Sequence, residues 1–294
     1  MTGHYAHGSH HIDFDVMGGL LARSADLEAP WFADAARWLR DLLGSPDGVD
    51  RVVDAGSGAG GMALALARAF PGAEVVAVDT APALLELTID RARHEGVGDR
   101  IRPVLADLAA PVPGVEGAAV AWASAAVHHV GDQRTAIANL AGCLGPGGLV
   151  ALAEGGLPAR HLPSDIGTGR PGLEARLDAA QETWFATMRN ELPGAVRQPD
   201  DWPRLLVDAG LDHVATRTFL IERRAPLGDQ EREHVRHVFA SRAEHAGNLL
   251  DTRDRALLDT LLDDDHPEGL LRRPDVFLLA ARTVHVGRRA ASAP

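Results

Sequence analysis

The sequence predicts an α/β fold, a parallel β-sheet with helices packed on both faces. Three observations carry that expectation. Short apolar runs rich in β-branched residues alternate with helical segments between residues 51 and 153, as consecutive β-α-β units do. The first run, Val52-Val53, leads through Asp54 and Ala55 into Gly56-Ser57-Gly58-Ala59-Gly60-Gly61, where a strand must turn sharply into a helix and a ligand can lie against bare backbone. An acid or hydroxyl (Asp54, Asp79, Asp107, Ser124, Glu154) stands at or near the end of every predicted strand. Ligands of such sheets bind beyond the carboxyl ends of the strands, so these residues are expected to share one site.

Taken in order, residues 1–25 are mixed. His4, His7, His10 and His11 cluster beside Tyr5, and Ile12, Phe14, Val16 and Met17 form an apolar patch. The histidines have no Cys or acid at ligand spacing, so a solvent-exposed arm is expected rather than a metal site. A helix is predicted over 30–43, with Pro30 in its first turn and Gly44-Ser45-Pro46 ending it. Strands follow at 51–55, 74–78, 101–105, 118–123 and 149–153. Helices are expected over 60–70, from Pro82 to Gly96, and over 132–144. The second half is less regular. Residues 155–171, rich in Gly and Pro, read as a loop. Leu173, Leu177, Ala180, Trp184 and Met188 mark one face of a long helix ending at Pro193-Gly194. A short helix over 201–209, a strand over 212–221, helices over 229–246 and 252–263, and a strand over 276–286 complete the chain.

Composition narrows the function. At 294 residues and 46% hydrophobic the chain can bury a sizeable core, and its length suits one elaborated α/β domain. A net charge of −12 argues against a general nucleic-acid binder. The single cysteine, Cys143, leaves no internal disulfide and no sign of an oxidising compartment. With no apolar stretch near the roughly 20 residues of a membrane span, and no basic start followed by an apolar run, a cytoplasmic protein without membrane partners is expected.

Gly56, Gly58 and Gly61 also fit the dinucleotide pattern G-x-G-x-x-G, and Asp79 would suit a ribose in either reading. Asp54 decides between them, because a carboxylate beside the loop repels a pyrophosphate and suits a cationic ligand. Asp54-x-Gly56-x-Gly58-x-Gly60 resembles the first motif of the class I S-adenosylmethionine-dependent methyltransferases. Ala126-Val127-His128-His129-Val130, a helix, and then Leu144-Gly145-Pro146-Gly147-Gly148-Leu149 resemble the segment between the fourth and fifth strands in the ubiquinone- and menaquinone-type branch of that family. The resemblance covers about residues 48–155.

The resemblance implies a Rossmann-like seven-stranded methyltransferase sheet whose last strand is antiparallel, with S-adenosyl-L-methionine as cofactor. Asp54 would lie near the methionine ammonium, and Gly56, Ser57, Gly58 and Gly60 against the methionine part. Asp79, with Thr80 beside it, would bind the ribose hydroxyls. Asp107 and Leu108 would meet the adenine, and Ser124 would lie near the methionine end. The family usually joins strands six and seven by a short hairpin, whereas this chain places two helices between them. The expected organisation is an N-terminal arm and helix (1–47), a cofactor-binding core (48–155), and the rest of the sheet with helical cap insertions (156–294), all in one domain.

Methyl transfer needs alignment more than acid–base help; a base matters only when the nucleophile must lose a proton. His128 and His129 stand where a base could act. The pair belongs to the family pattern whatever the substrate, so at least one is expected to be structural. Trp184 and Met188 are candidates for a substrate-lining face, with plain packing the simpler role. Glu154 is a candidate to hold a substrate amine or hydroxyl, with a solvated carboxylate the plain alternative. The function expected is methyl transfer to O, N or C of a small metabolite. The rivals are a non-catalytic protein that keeps the cofactor fold and, on the glycines alone, a nicotinamide oxidoreductase.

Overall fold

The computed structural model describes residues 14–44 and 48–291; the four N-terminal histidines lie outside them. Seven strands form one sheet: β1 (Arg51–Ala55), β2 (Glu74–Asp79), β3 (Ile101–Leu105), β4 (Ala118–Ser124), β5 (Leu144–Arg160), β6 (Asp212–Arg223) and β7 (Leu278–Arg288). Their order is β3-β2-β1-β4-β5-β7-β6. Neighbours from β3 to β5 are parallel, and β7 runs antiparallel to both β5 and β6. This is the Rossmann-like sheet expected, with the antiparallel strand where it was expected.

Alternation along the strands divides the core. Val52, Val75 and Trp122 face α1 (Phe14–Leu43), α2 (Gly61–Ala69) and α3 (Pro82–His94). Val53, Val76 and Ala121 face α4 (Gln133–Gly142) and α6 (Trp202–Asp208). A third apolar cluster joins α5 (Leu173–Glu191), α7 (Asp229–Ala246) and α8 (Thr252–Leu262) through Leu177, Val235, Phe239, Leu258 and Leu261. Both helices between β6 and β7 belong to it, so the insertion is a helical cap.

Two boundaries depart from the sequence reading. The first helix begins at Phe14, not at residue 30, and Pro30 lies inside it. Packing overrides the local signal, because Ala25 and Phe32, on either side of Pro30, both press on Gly61 at the start of α2. Residues 156–160 are strand, not loop: β5 passes an irregularity at Gly155-Gly156 and pairs with β7 again from Gly156 to Arg160. Glycines signal a turn in sequence, but here they bend a strand that continues.

Candidate active site

The site lies beyond the carboxyl ends of β1, β2, β4 and β5 and is built in two parts. The first is the glycine turn after β1. Gly56, Gly58 and Gly60 all have positive φ, at 73°, 51° and 76°. A side chain on Gly56 would stand 2.6 Å from Cβ of Ala126, so the turn after β4 can approach only because residue 56 is glycine. The Gly56 and Ser57 N–H groups donate to the Val78 carbonyl at 2.8 and 2.9 Å. Thr88 Oγ1 donates to the Gly58 carbonyl at 3.0 Å, and Arg91 donates to the Ala59 carbonyl. The turn is therefore fixed from β2 and α3 and leaves its inner side free.

Asp54 is the unusual group here. It is 2% exposed, and burial lifts its pKa to about 7. The Ala63 N–H in the first turn of α2 opposes that rise and the nearby Asp79 adds to it. Its Oδ2 and the hydroxyl of Ser57 are buried without hydrogen-bond partners. An orphaned carboxylate oxygen beside an orphaned hydroxyl is costly unless a donor arrives. Asp79 caps the turn instead, with Oδ2 accepting from Gly58 N–H at 2.9 Å and Oδ1 from Ala81 N–H at 3.0 Å. Asp79, Thr80, Asp107 and Leu108 line a cavity of about 400 Å³ with Gly56 and His129.

The second part is a larger cavity of about 960 Å³ between the sheet and the cap, on whose wall stand His128 and Glu154. Glu154 is 3% exposed. Its Oε1 accepts from the Ala126 and Val127 N–H groups, both at 3.0 Å, and its Oε2 accepts from His128 Nδ1 at 2.7 Å. This corrects the expectation of a solvated Glu154. It is buried and fully engaged rather than solvated: it lines the cavity, holds the turn after β4 and orients one imidazole. That turn includes Ala125 at φ +48°, a conformation that costs free energy in a residue with a Cβ and persists where its surroundings fix it.

The two histidines face different ways. Their rings are 4.2 Å apart, His128 on the wall of the large cavity and His129 on the wall of the small one. Desolvation, with the neighbouring His128, holds His129 well below its ordinary value, at about 4. Phe185 of α5 meets the His128 ring edge-on at 5.3 Å, and Arg189, one turn further on, donates to the backbone carbonyls of His128 and of Val130.

A family profile described as a methyltransferase domain matches residues 52–148, the stretch that builds the glycine turn, the acids and the histidine turn. Residues 52–148 thus form a stretch similar to methyltransferase domains. Among curated methyltransferases it is 28% identical to trans-aconitate 2-methyltransferase of Methylobacterium radiotolerans, over 78% of this chain and 86% of that protein. It is 34% identical to demethylmenaquinone methyltransferase of Thermus thermophilus, over 48% of this chain and 60% of that one. Its fold is similar to that of an O-methyltransferase family protein from Burkholderia thailandensis, with a TM-score of 0.52 at 16% identity, over 95% of this chain and 60% of that one.

The small cavity, lined by Gly56, Asp79, Thr80, Asp107 and Leu108, fits the hydroxyl and adenine parts of an S-adenosylmethionine, with Asp79 keeping lone pairs for hydroxyls. Asp54, Ser57, Gly58 and Gly60 line neither cavity; at the turn, the orphaned Asp54 and Ser57 atoms would meet an ammonium and a carboxylate. Most of the cofactor residues expected from the sequence thus come together around one turn and one cavity. Ser124 ends β4 half-buried and lines neither cavity. Trp184 stacks on His245 at 4.5 Å and packs into the cap, and neither it nor Met188 lines the large cavity; the neighbouring Phe185 does.

Much of the acceptor-side wall carries no sequence signal. His161, 1% exposed, is held by Glu174, whose oxygens also accept from the His161 and Leu162 N–H groups. Asp178 bridges Arg160 and the buried Arg242. These partners are 12 to 64 residues apart, so only the fold brings them together. Among the described residues no group of three or more His, Cys, Asp or Glu is placed to hold a metal ion, and no helix is long and apolar enough to cross a membrane.

Proposed function

We propose that this chain transfers the methyl group of S-adenosylmethionine to an O, N or C atom of a small molecule held in the large cavity. Where the acceptor must lose a proton, His128 takes it. The observation that carries this reading is the adjacent histidine pair at the boundary, rings tilted 49° to each other and one in each cavity wall, with Glu154 fixing the ring on the acceptor side. Bound cofactor supplies the electrophile, a methyl group on a sulfonium.

The chain's own residues do the rest. Asp54 pairs with the ammonium, and Ser57 and the glycine turn hold the methionine part. Asp79 accepts from the ribose hydroxyls, and Asp107 and Leu108 meet the adenine. His128 donates Nδ1–H to Glu154, which leaves Nε2 as the ring's accepting nitrogen. The carboxylate then stabilises the imidazolium that forms. His129 stays uncharged at neutral pH and packs against the cofactor side.

A polycarboxylate such as trans-aconitate, named for the relative above, suits this cavity poorly. Glu154, Asp178, Glu182 and Asp200 contribute carboxylates to its wall against one arginine, Arg242, which is already paired with Asp178. The second reading, a cofactor-binding protein without turnover, keeps the small cavity and loses the chemistry. Calorimetry with S-adenosylmethionine, followed by assay of released S-adenosylhomocysteine with a panel of acceptors, separates them. Binding plus turnover supports the enzyme, binding without turnover by any acceptor supports the rival, and no binding by the folded protein removes both.

A further inference from the structure

We infer that the acceptor is amphipathic: a polar head that meets His128 and an apolar tail that lies across the extended ends of β5, β7 and β6. This rests on the methyltransferase reading and adds the substrate's chemical class.

The register of the sheet carries the inference. Leu157 of β5 pairs with Ala281 of β7, and Ala281 pairs with Leu220 of β6. Directly paired residues share a face of the sheet, so the three make one apolar row. Leu157 and Leu220 are among the most exposed apolar residues of the molecule, at 68% and 66%. Leu157 lines the large cavity, which makes the row a continuation of the cavity floor. Two residues along the same face the character changes. Thr283 pairs with Thr218, their hydroxyls 3.0 Å apart, and both line the cavity. The floor therefore runs from hydroxyls to leucines.

The separation is sizeable. Leu157 lies three residues beyond Glu154 on the same strand, about 10 Å at a rise of roughly 3.3 Å per residue. A metabolite the size of an amino acid held at His128 would leave the leucine row in water. The cavity of about 960 Å³ is at the upper end of what drug-sized ligands fill. The extension of β5 past Gly155-Gly156 sets Leu157 beside Ala281 and so completes this floor.

The test uses 4-alkylphenols, from 4-methylphenol to 4-hexylphenol, titrated by calorimetry into the full chain saturated with S-adenosylhomocysteine, so that no turnover occurs. A fully buried methylene strengthens binding about fourfold, and one lying on an open wall about twofold. The expected result is a gain of about twofold per added methylene. Leu157→Asp and Leu220→Asp should flatten the series while leaving affinity for S-adenosylhomocysteine within twofold of the wild type. Both positions are exposed, so the variants should fold, which circular dichroism and the retained cofactor affinity check. No binding by any phenol, or affinity independent of chain length, overturns the inference. So does a length dependence that survives both substitutions. If Leu220→Asp instead splits a dimer in sedimentation and the series is flat in the wild type, the row is a contact between copies and the inference fails. Failure of the wild type to bind S-adenosylhomocysteine overturns the methyltransferase reading itself, a separate and visible outcome.

Discussion

The core and the cap bury a carboxylate in opposite ways. In the core, Asp54 is buried with one oxygen unpartnered, and desolvation lifts its pKa to about 7 against the opposing Ala63 N–H. In the cap, Asp254 is equally buried, at 2% exposed, yet Arg176 and Arg170 bond both its oxygens and hold it far below the usual carboxylate range. The two carboxylates thus have opposite shifts, one led by desolvation and the other by two guanidinium partners. A buried charge must find a counter-charge; Asp254 has two, which tie the cap together, and Asp54 has none among the described residues, which suits the proposed ligand.

The largest expected effect concerns the boundary between the two regions. Replacing His128 with Ala should lower kcat by about 10²–10⁴, the usual worth of a positioned base, with cofactor affinity nearly unchanged. Glu154→Gln should lower it by a comparable factor, because an amide has one accepting oxygen: with that oxygen on the Ala126 and Val127 N–H groups, its NH2 donates to Nδ1 and turns the imidazole to the wrong tautomer. Single-turnover rates beside calorimetry check this. An unchanged rate in His128→Ala limits the histidine to a structural role.

Asp54 sharpens the contrast next. Asp54→Asn should weaken binding of S-adenosylmethionine about 10- to 100-fold, the loss of one charge-assisted bond at about 1.5–3 kcal/mol, while leaving the free protein as stable or more stable. The sign follows from the raised pKa. The folded state holds a proton that the unfolded state has lost between pH 3.8 and about 7, so the ionised carboxylate costs stability above that window. Affinity for the ammonium-bearing cofactor should fall as pH drops below about 7, where Asp54 becomes protonated, and the Asn variant should lose that slope. The same substitution at Asp254 should instead destabilise the cap without touching cofactor affinity.

A smaller effect tests how the cap's α7 is held. His234 bonds Ser24 of α1 at 3.0 Å, and desolvation, then the nearby His161 and His237, hold it down at about 4 against 6.5. The folded state therefore favours neutral imidazole. Between pH 6.5 and about 4 the unfolded chain binds more protons, so stability is present above 6.5 and is lost as pH falls toward 4. After discounting for partial exposure, His234 should account for about 1–2 kcal/mol of that loss. Denaturant titrations of the wild type and His234→Gln at pH 7 and pH 5 measure it, and equal pH slopes would refute it.

Legibility in the sequence follows the same division. In the core each site residue sits beside a strand end or a glycine, and strand, turn and acid are consecutive in the chain. Local pattern therefore reports the candidate site: Asp54, the glycines, Asp79 and Asp107 stand at the strand ends and turn where the sequence alone puts them. In the cap, Asp178 serves the site through Arg242, 64 residues away, and the leucine row exists only by register across three strands. Helical periodicity finds the apolar stripe of α5 but not which neighbour of Trp184 reaches the cavity, because one residue's rotation, about 100°, separates packing from lining. Pro30 misleads for a related reason. It is at home in a first turn, and only the packing of α1 on α2 shows that the helix runs through it.

The smallest effect lies where the two regions join. Arg189, near the end of α5, donates to the carbonyls of His128 and Val130, and Val196 N–H donates to the Gly131 carbonyl at 2.9 Å. α5 contributes Phe185 to the acceptor cavity, and Leu192 and Pro193 just beyond it line the cofactor cavity. One segment thus touches both cavities and is bonded to the turn between them, so each ligand should raise the other's affinity by the same factor. An expected factor of about fivefold is at the low end for such coupling. Arg189→Ala should reduce it below about twofold while changing either affinity alone only slightly. The measurement is acceptor affinity with and without S-adenosylhomocysteine, and cofactor affinity with and without acceptor. Equal coupling in the variant would mean that the cap and core communicate through the shared cavity wall and not through this arginine.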